Sequence, residues 1–73
     1  MPLSKAVWKA GHIIKALEEN GISIWKAEIW NDGELYWLKA YYTGKLGMRD
    51  LINALGDRIE DVSVEGGALV VML

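Results

Sequence analysis

Few side chains in this 73-residue chain are suited to covalent or acid–base chemistry. There is no cysteine, and Ser4, Ser23 and Ser63 lie in no sequence context typical of a nucleophile elbow or a triad. His12 is the only imidazole, and it falls on a lysine-rich face of a predicted helix. A lone histidine there is expected to be a surface residue rather than a general base. The sequence therefore predicts no catalytic residue and a protein that is not an enzyme.

The sequence also predicts no metal site and no cofactor. Without cysteine there is no thiolate ligand, and one histidine does not supply a zinc site by itself. Four acidic residues are spaced along residues 57–65, namely Asp57, Glu60, Asp61 and Glu65. They lack the spacing of a calcium loop, so we interpret them as charges that protect an edge strand. Gly44-Lys45 lacks the spacing of a phosphate-binding loop.

Size and charge narrow the class of protein. A single domain of this length has a marginal core, and without disulfides its additional stability is expected from large aromatic side chains or self-association. The net charge is −2, which does not favour binding to polyanions by the whole molecule. The charge is uneven, because residues 1–49 hold seven Lys/Arg and five Asp/Glu, whereas residues 50–73 hold one Arg and five Asp/Glu.

The expected location is the cytoplasm, away from membranes. No apolar stretch approaches the roughly 20 residues of a membrane span, and the start does not resemble a signal peptide. The absence of both Gln and Cys is a weak indication of a thermophilic source.

Residues 22–42 are predicted to form a β-hairpin that organises the fold, with a turn at Asp32-Gly33. A two-residue turn there pairs Ile29 with Tyr36, and it gives one face without charge. On that face we expect Ala27, Ile29, Leu38 and Ala40 to be buried under helices, with Trp25 beside them. The opposite face then carries Ile24, Lys26, Glu28, Trp30, Leu35, Trp37, Lys39 and Tyr41.

Apolar periodicity predicts two helices, over residues 3–20 and 47–56. The inward residues of the first are expected to be Leu3, Ala6, Val7, Ala10, Ile13, Ile14 and Leu17, and those of the second Met48, Leu51, Ile52 and Leu55. Residues 58–73 are predicted to form a second hairpin, with a Gly66-Gly67 turn that pairs Val64 with Leu69.

The order αββαββ predicts an α+β protein built as a two-layer sandwich, with two helices on one face of a four-stranded sheet. A crossover through the second helix sets one strand of each hairpin parallel, as in a circularly permuted ferredoxin-like arrangement. The other face of the sheet is then uncovered. It would expose Trp30, Leu35, Trp37, Tyr41, Val70 and Met72 together.

An uncovered aromatic face predicts an interaction surface, for which two functions remain open. The first is a small module that self-associates, most simply as a dimer, or binds a protein partner. The second is a binder of single-stranded RNA or DNA that stacks bases on the aromatic rings. The residues expected to support nucleic-acid binding are Lys26 and Lys39 on the sheet and Lys5, Trp8, Lys9 and Lys15 on the first helix.

Overall fold

The computed structural model describes residues 1–73 and confirms the predicted αββαββ order. The elements are α1 (Leu3–Glu19), β1 (Ser23–Asn31), β2 (Tyr36–Thr43), α2 (Met48–Leu55), a 3₁₀ helix (Gly56–Asp61), β3 (Val62–Glu65) and β4 (Ala68–Met72). The sheet order is β1-β2-β4-β3, with every neighbouring pair antiparallel. Since β4 lies antiparallel between them, β2 and β3 run parallel as a split βαβ unit, in line with the permuted ferredoxin-like arrangement.

The first hairpin has the predicted faces but a different register. Asp32 N–H donates to the carbonyl of Leu35 at 3.0 Å, which closes a two-residue loop made of Gly33 and Glu34 rather than Asp32 and Gly33. Ile29 therefore pairs with Leu38, two positions beyond the predicted partner Tyr36. The displacement is even, so each side chain between Lys26 and Tyr41 stays on its predicted face.

A β-bulge in β1 makes the predicted faces wrong at the start of that strand. The pairing jumps from Ile24–Tyr42 to Lys26–Tyr41, so Trp25 is the extra residue. One extra residue reverses the alternation of side chains on either side of it. Ile24 consequently packs against the core, and the Trp25 side chain moves to the opposite face, where it contacts Tyr41.

The second hairpin has its predicted register, with Val64 opposite Leu69 and Val62 opposite Val71. Its strand β4 joins the first hairpin through β2, where Trp37 pairs with Met72. The two hairpins therefore form one continuous sheet.

The core lies between the sheet and the two helices. Leu38 and Ala40 from β2 and Leu69 and Val71 from β4 are fully buried there. The helices contribute Ala10, Ile13, Leu17, Leu51 and Leu55. Both helices thus cover the same face of the sheet, as predicted. Neither helix is long and apolar enough to cross a membrane.

Each helix buries a narrower stripe than its apolar pattern predicts. In α1, Leu3 and Val7 are exposed, and in α2 Met48 and Ile52 are exposed, with Met48 at 62%. The same holds for β1, where Ala27 is exposed and Ile29 is half-buried rather than buried. The two helices leave their own outer flanks, and the part of the edge strand β1 around Ala27, in solvent. Periodicity alone does not reveal where that cover stops.

Candidate interaction face

The sheet face that points away from the helices carries the aromatic residues in rows set by strand pairing. One row runs Trp30, Trp37 and Met72 across β1, β2 and β4. The next rows place Glu28, Lys39 and Val70 together, and then Lys26, Tyr41 and Ala68. We call the side chains of Trp25, Trp30, Trp37, Tyr41, Val70 and Met72 the aromatic face. The two helices pack on the opposite side of the sheet, and Trp25 and Trp30 are exposed on this one.

Trp30 and Trp37 lie against each other, and the turn holds Trp37 in place. Their ring centroids are 6.4 Å apart, with an angle of 18° between the ring planes. The indole Nε1–H of Trp37 donates to Oδ2 of Asp32 at 2.8 Å. Asp32 Oδ1 accepts the backbone N–H groups of Glu34 and Leu35 as well. These hydrogen bonds lower the pKa of Asp32, and the one from the Leu35 N–H has the largest effect. The carboxylate that orients Trp37 therefore stays ionised.

Tyr41 is the centre of a second cluster. The Nζ atoms of Lys26 and Lys39 each lie 5.3 Å from its ring centroid, within cation–π range, and the Trp25 ring lies 5.4 Å away. Lys26 Nζ also forms an ion pair with Glu28 at 3.1 Å, and the hydrogen bond and negative charge of Glu28 raise the pKa of Lys26. This part of the face is therefore both aromatic and basic.

Two predicted members of the face, Val70 and Leu35, differ from expectation, the first in its exposure and the second in its position. Val70 is only 7% exposed and its neighbour Ala68 is fully buried, so these two side chains add little accessible surface to the face. Leu35 lies in the loop before β2 rather than in a strand, and is 42% exposed. The accessible apolar surface therefore comes mainly from the aromatic rings and Met72.

The far side of the same face is acidic. Glu65 pairs with Ala68, which places it on this face at the β3 edge. Glu60 and Asp61 border a shallow groove of about 270 Å³ together with Trp37 and Met72. Lysines on β1 and β2 and carboxylates near β3 thus give the face two halves of opposite charge.

The predicted nucleic-acid residues of α1 lie on the other side of the molecule. Lys5, Trp8 and Lys15 belong to the outer surface of the helix layer, and Lys9 Nζ donates to the carbonyl of Leu73 at 3.2 Å. Trp8 packs edge-on against His12, with ring centroids 4.2 Å apart. The structure therefore does not unite the lysines of α1 with Lys26 and Lys39 in one surface.

Trp25 is the residue of this face that sequence reasoning missed. Its side chain is 62% exposed and contacts Tyr41, and only the bulge places it there. No residue near it is a Gly or Pro that would signal a bulge, so strict alternation assigned it to the core.

The chain matches no known protein-family model, no curated protein and no solved structure.

Proposed function

We propose that this protein is a non-enzymatic interaction module that self-associates by packing its aromatic face against the same face of a second copy. One observation carries the proposal, namely an uncovered sheet face that holds three tryptophans and a tyrosine between a basic half and an acidic half. Contiguous exposed apolar side chains with a polar rim are typical of protein interfaces.

The distribution of charge supports a second copy as the occupant. A twofold axis parallel to the strands places β1 of each copy over β3 of the other, as an isologous interface requires. Lys26 then approaches Glu65 of the second copy, and the acidic groove faces the basic half. The same operation brings Trp37 against Met72 of the second copy, a contact between a ring and a sulfur that is weakly favourable. An axis across the strands would instead oppose like charges.

The size of the face supports an association of moderate strength. The strands have nine, eight, four and five residues, which at about 3.3 Å per residue and about 4.8 Å between strands give an area of roughly 400 Å². A standard interface buries about 800 Å² per partner, and the side chains that protrude from the sheet raise the accessible area of the face towards that value. We therefore expect a dissociation constant in the micromolar range. The rigid row of Trp30 and Trp37 would supply most of the binding energy.

Nucleic-acid binding is the second candidate, and the cluster around Tyr41 is the observation that favours it. Two lysines beside an exposed Trp25 ring resemble a platform on which a base could stack next to a phosphate. Against it, Glu28 neutralises Lys26, and the acidic residues near β3 lie on the same face. These charges make self-association the better explanation.

Sedimentation of matched tryptophan variants tests the proposal. Trp37→Glu places a charge in the centre of the aromatic face, so it should lower the mass of the assembly at about 100 µM protein. Trp8→Glu is the matched control, because Trp8 is 63% exposed on the helix layer and its replacement should leave the mass unchanged. Equal masses for wild type and Trp37→Glu would contradict the proposal.

A titration with single-stranded RNA and DNA decides the alternative. If the face is a nucleic-acid platform, wild type should be a monomer whose tryptophan fluorescence is quenched by the oligonucleotide. The affinity should fall as salt rises, and Lys39→Ala should weaken it.

A further inference from the structure

Strand β1 forms a long edge of the sheet, and its protective features, the bulge at Trp25 and the charges of Lys26 and Glu28, leave the backbone from Ala27 to Asn31 regular. It has nine residues and is exposed over most of its length. At the other edge, β3 has only four residues, follows Asp61 directly and ends with Glu65. Short or charged edge strands discourage pairing between molecules, whereas long exposed ones are templates for it. In β1 the helix-side positions Ala27 and Ile29 carry no charge.

The outer backbone groups of Ala27, Ile29 and Asn31 have no partner within the chain. In a strand, N–H and C=O of one residue point to the same side, and successive residues alternate. Asp32 N–H bonds to Leu35 in the hairpin, so the even-numbered residues back to Lys26 point towards β2. The odd-numbered residues 27, 29 and 31 point outwards. No hydrogen bond outside the helices and strands uses their backbone groups.

We propose that β1 pairs antiparallel with β1 of a second copy, about a twofold axis at Ile29 that is perpendicular to the sheet. The two sheets then form one continuous sheet. This contact is made by the strand edge, so it does not depend on the aromatic face, which stays open on one side of the enlarged sheet. The partner is another copy of this chain, added by strand pairing.

Backbone hydrogen bonding selects this register. With the axis at Ile29, Ala27 of each copy lies opposite Asn31 of the other, and Ile29 of one copy lies opposite Ile29 of the other. All three residues with free outer groups are then satisfied in both molecules. With the axis at Ala27, Ile29 would lie opposite Trp25, where the bulge interrupts the regular alternation.

The charges of the strand select the same register. With the axis at Ile29, Lys26 lies opposite Asp32 of the second copy, which is a favourable pair. A shift of the axis to Glu28 would place the two Glu28 carboxylates opposite each other. A shift to Trp30 would place Glu28 opposite Asp32 of the second copy. Both shifts oppose like charges, and both leave some outer backbone groups unpaired.

Proline at an outward-pointing position tests the pairing without breaking the hairpin. Proline is tolerated in edge strands where the missing N–H faces solvent. In the Trp37→Glu background, which removes the aromatic-face contact, we expect a dimer by sedimentation at about 500 µM protein. Adding Ala27→Pro should halve the mass to that of a monomer. Adding Ala27→Val, which keeps the N–H, should preserve the dimer.

Amide exchange in the wild-type protein provides a second test that does not require the Trp37→Glu variant to fold. At high protein concentration the N–H groups of Ala27, Ile29 and Asn31 should exchange at least about tenfold more slowly than in dilute protein. In Ala27→Pro the amides of Ile29 and Asn31 should lose this protection.

Two results would overturn the edge pairing, and they differ from the failure of the aromatic face. A folded Trp37→Glu variant that is monomeric at about 500 µM would exclude it. Outer amides that exchange without protection in an associated wild-type protein would also exclude it. If Trp37→Glu instead keeps the wild-type mass and Ala27→Pro lowers it, the edge contact stands and the aromatic-face contact fails.

Discussion

Leu38 in the centre of β2 offers a direct measure of how far the helices cover the sheet. It has no exposed surface and belongs to the core cluster to which both hairpins and both helices contribute, whereas Leu35, in the loop of the same hairpin, is 42% exposed. The substitution Leu38→Ala removes a fully buried side chain and leaves a cavity, which costs about 2–5 kcal/mol of the free energy of unfolding. Leu35→Ala, the matched control, should cost less than about 1 kcal/mol.

The cost of Leu38→Ala is large for a domain of this size. At about 0.05–0.15 kcal/mol per residue the total free energy of unfolding is roughly 4–11 kcal/mol. A loss of about 2 kcal/mol already lowers the melting temperature by roughly 8–16 °C in a domain of this length. Urea unfolding followed by circular dichroism, at one fixed protein concentration, measures both variants against wild type. If Leu35→Ala costs as much as Leu38→Ala, the placement of the core is wrong.

Four further substitutions test the turn, the helix and the edge strand. Asp32→Asn removes the acceptor of the Trp37 indole. Because the pKa of Asp32 is lowered in the folded protein, its carboxylate stabilises the fold above about pH 4 and loses this effect as the pH falls further. The difference in melting temperature between variant and wild type should therefore narrow in acid. Gly33→Ala should destabilise the fold by about 1–3 kcal/mol, because φ is 108° at this position. Gly11→Ala should stabilise it by about 0.5–1 kcal/mol in thermal melts, because Gly11 lies in the helix α1 and a Cβ there would meet no neighbouring atom. Ala27→Asp should leave dilute protein folded, with a change below about 0.5 kcal/mol, since Ala27 is exposed; loss of the circular dichroism signal would contradict this.

The sequence predicted the fold through features that local chemistry determines. Alternation of charge and apolarity located both hairpins, and the Gly66-Gly67 turn set the register of the second one. The register of the first hairpin differed because Asp32 accepts the N–H groups of Glu34 and Leu35, which moves the loop one residue along the chain. Two loops of equal length were compatible with the same pattern of faces.

The candidate site was predictable only as far as strict alternation holds. Trp30, Trp37, Tyr41 and Met72 lie on the predicted face because they follow that rule. Trp25 does not, because the bulge reverses the alternation at its position. The extent of helix cover was equally hidden, since exposed and buried flanks of a helix have the same apolar pattern.

Isotope-filtered NMR on an equal mixture of ¹³C-labelled and unlabelled protein tests the central claim, self-association through the aromatic face, most directly. Only contacts between copies give filtered cross-peaks. We predict cross-peaks between the Met72 methyl group of one copy and the Trp37 ring of the other, which strengthen with protein concentration. Filtered cross-peaks confined to Trp8 and the helix layer, or none at a concentration where sedimentation shows association, would contradict the claim.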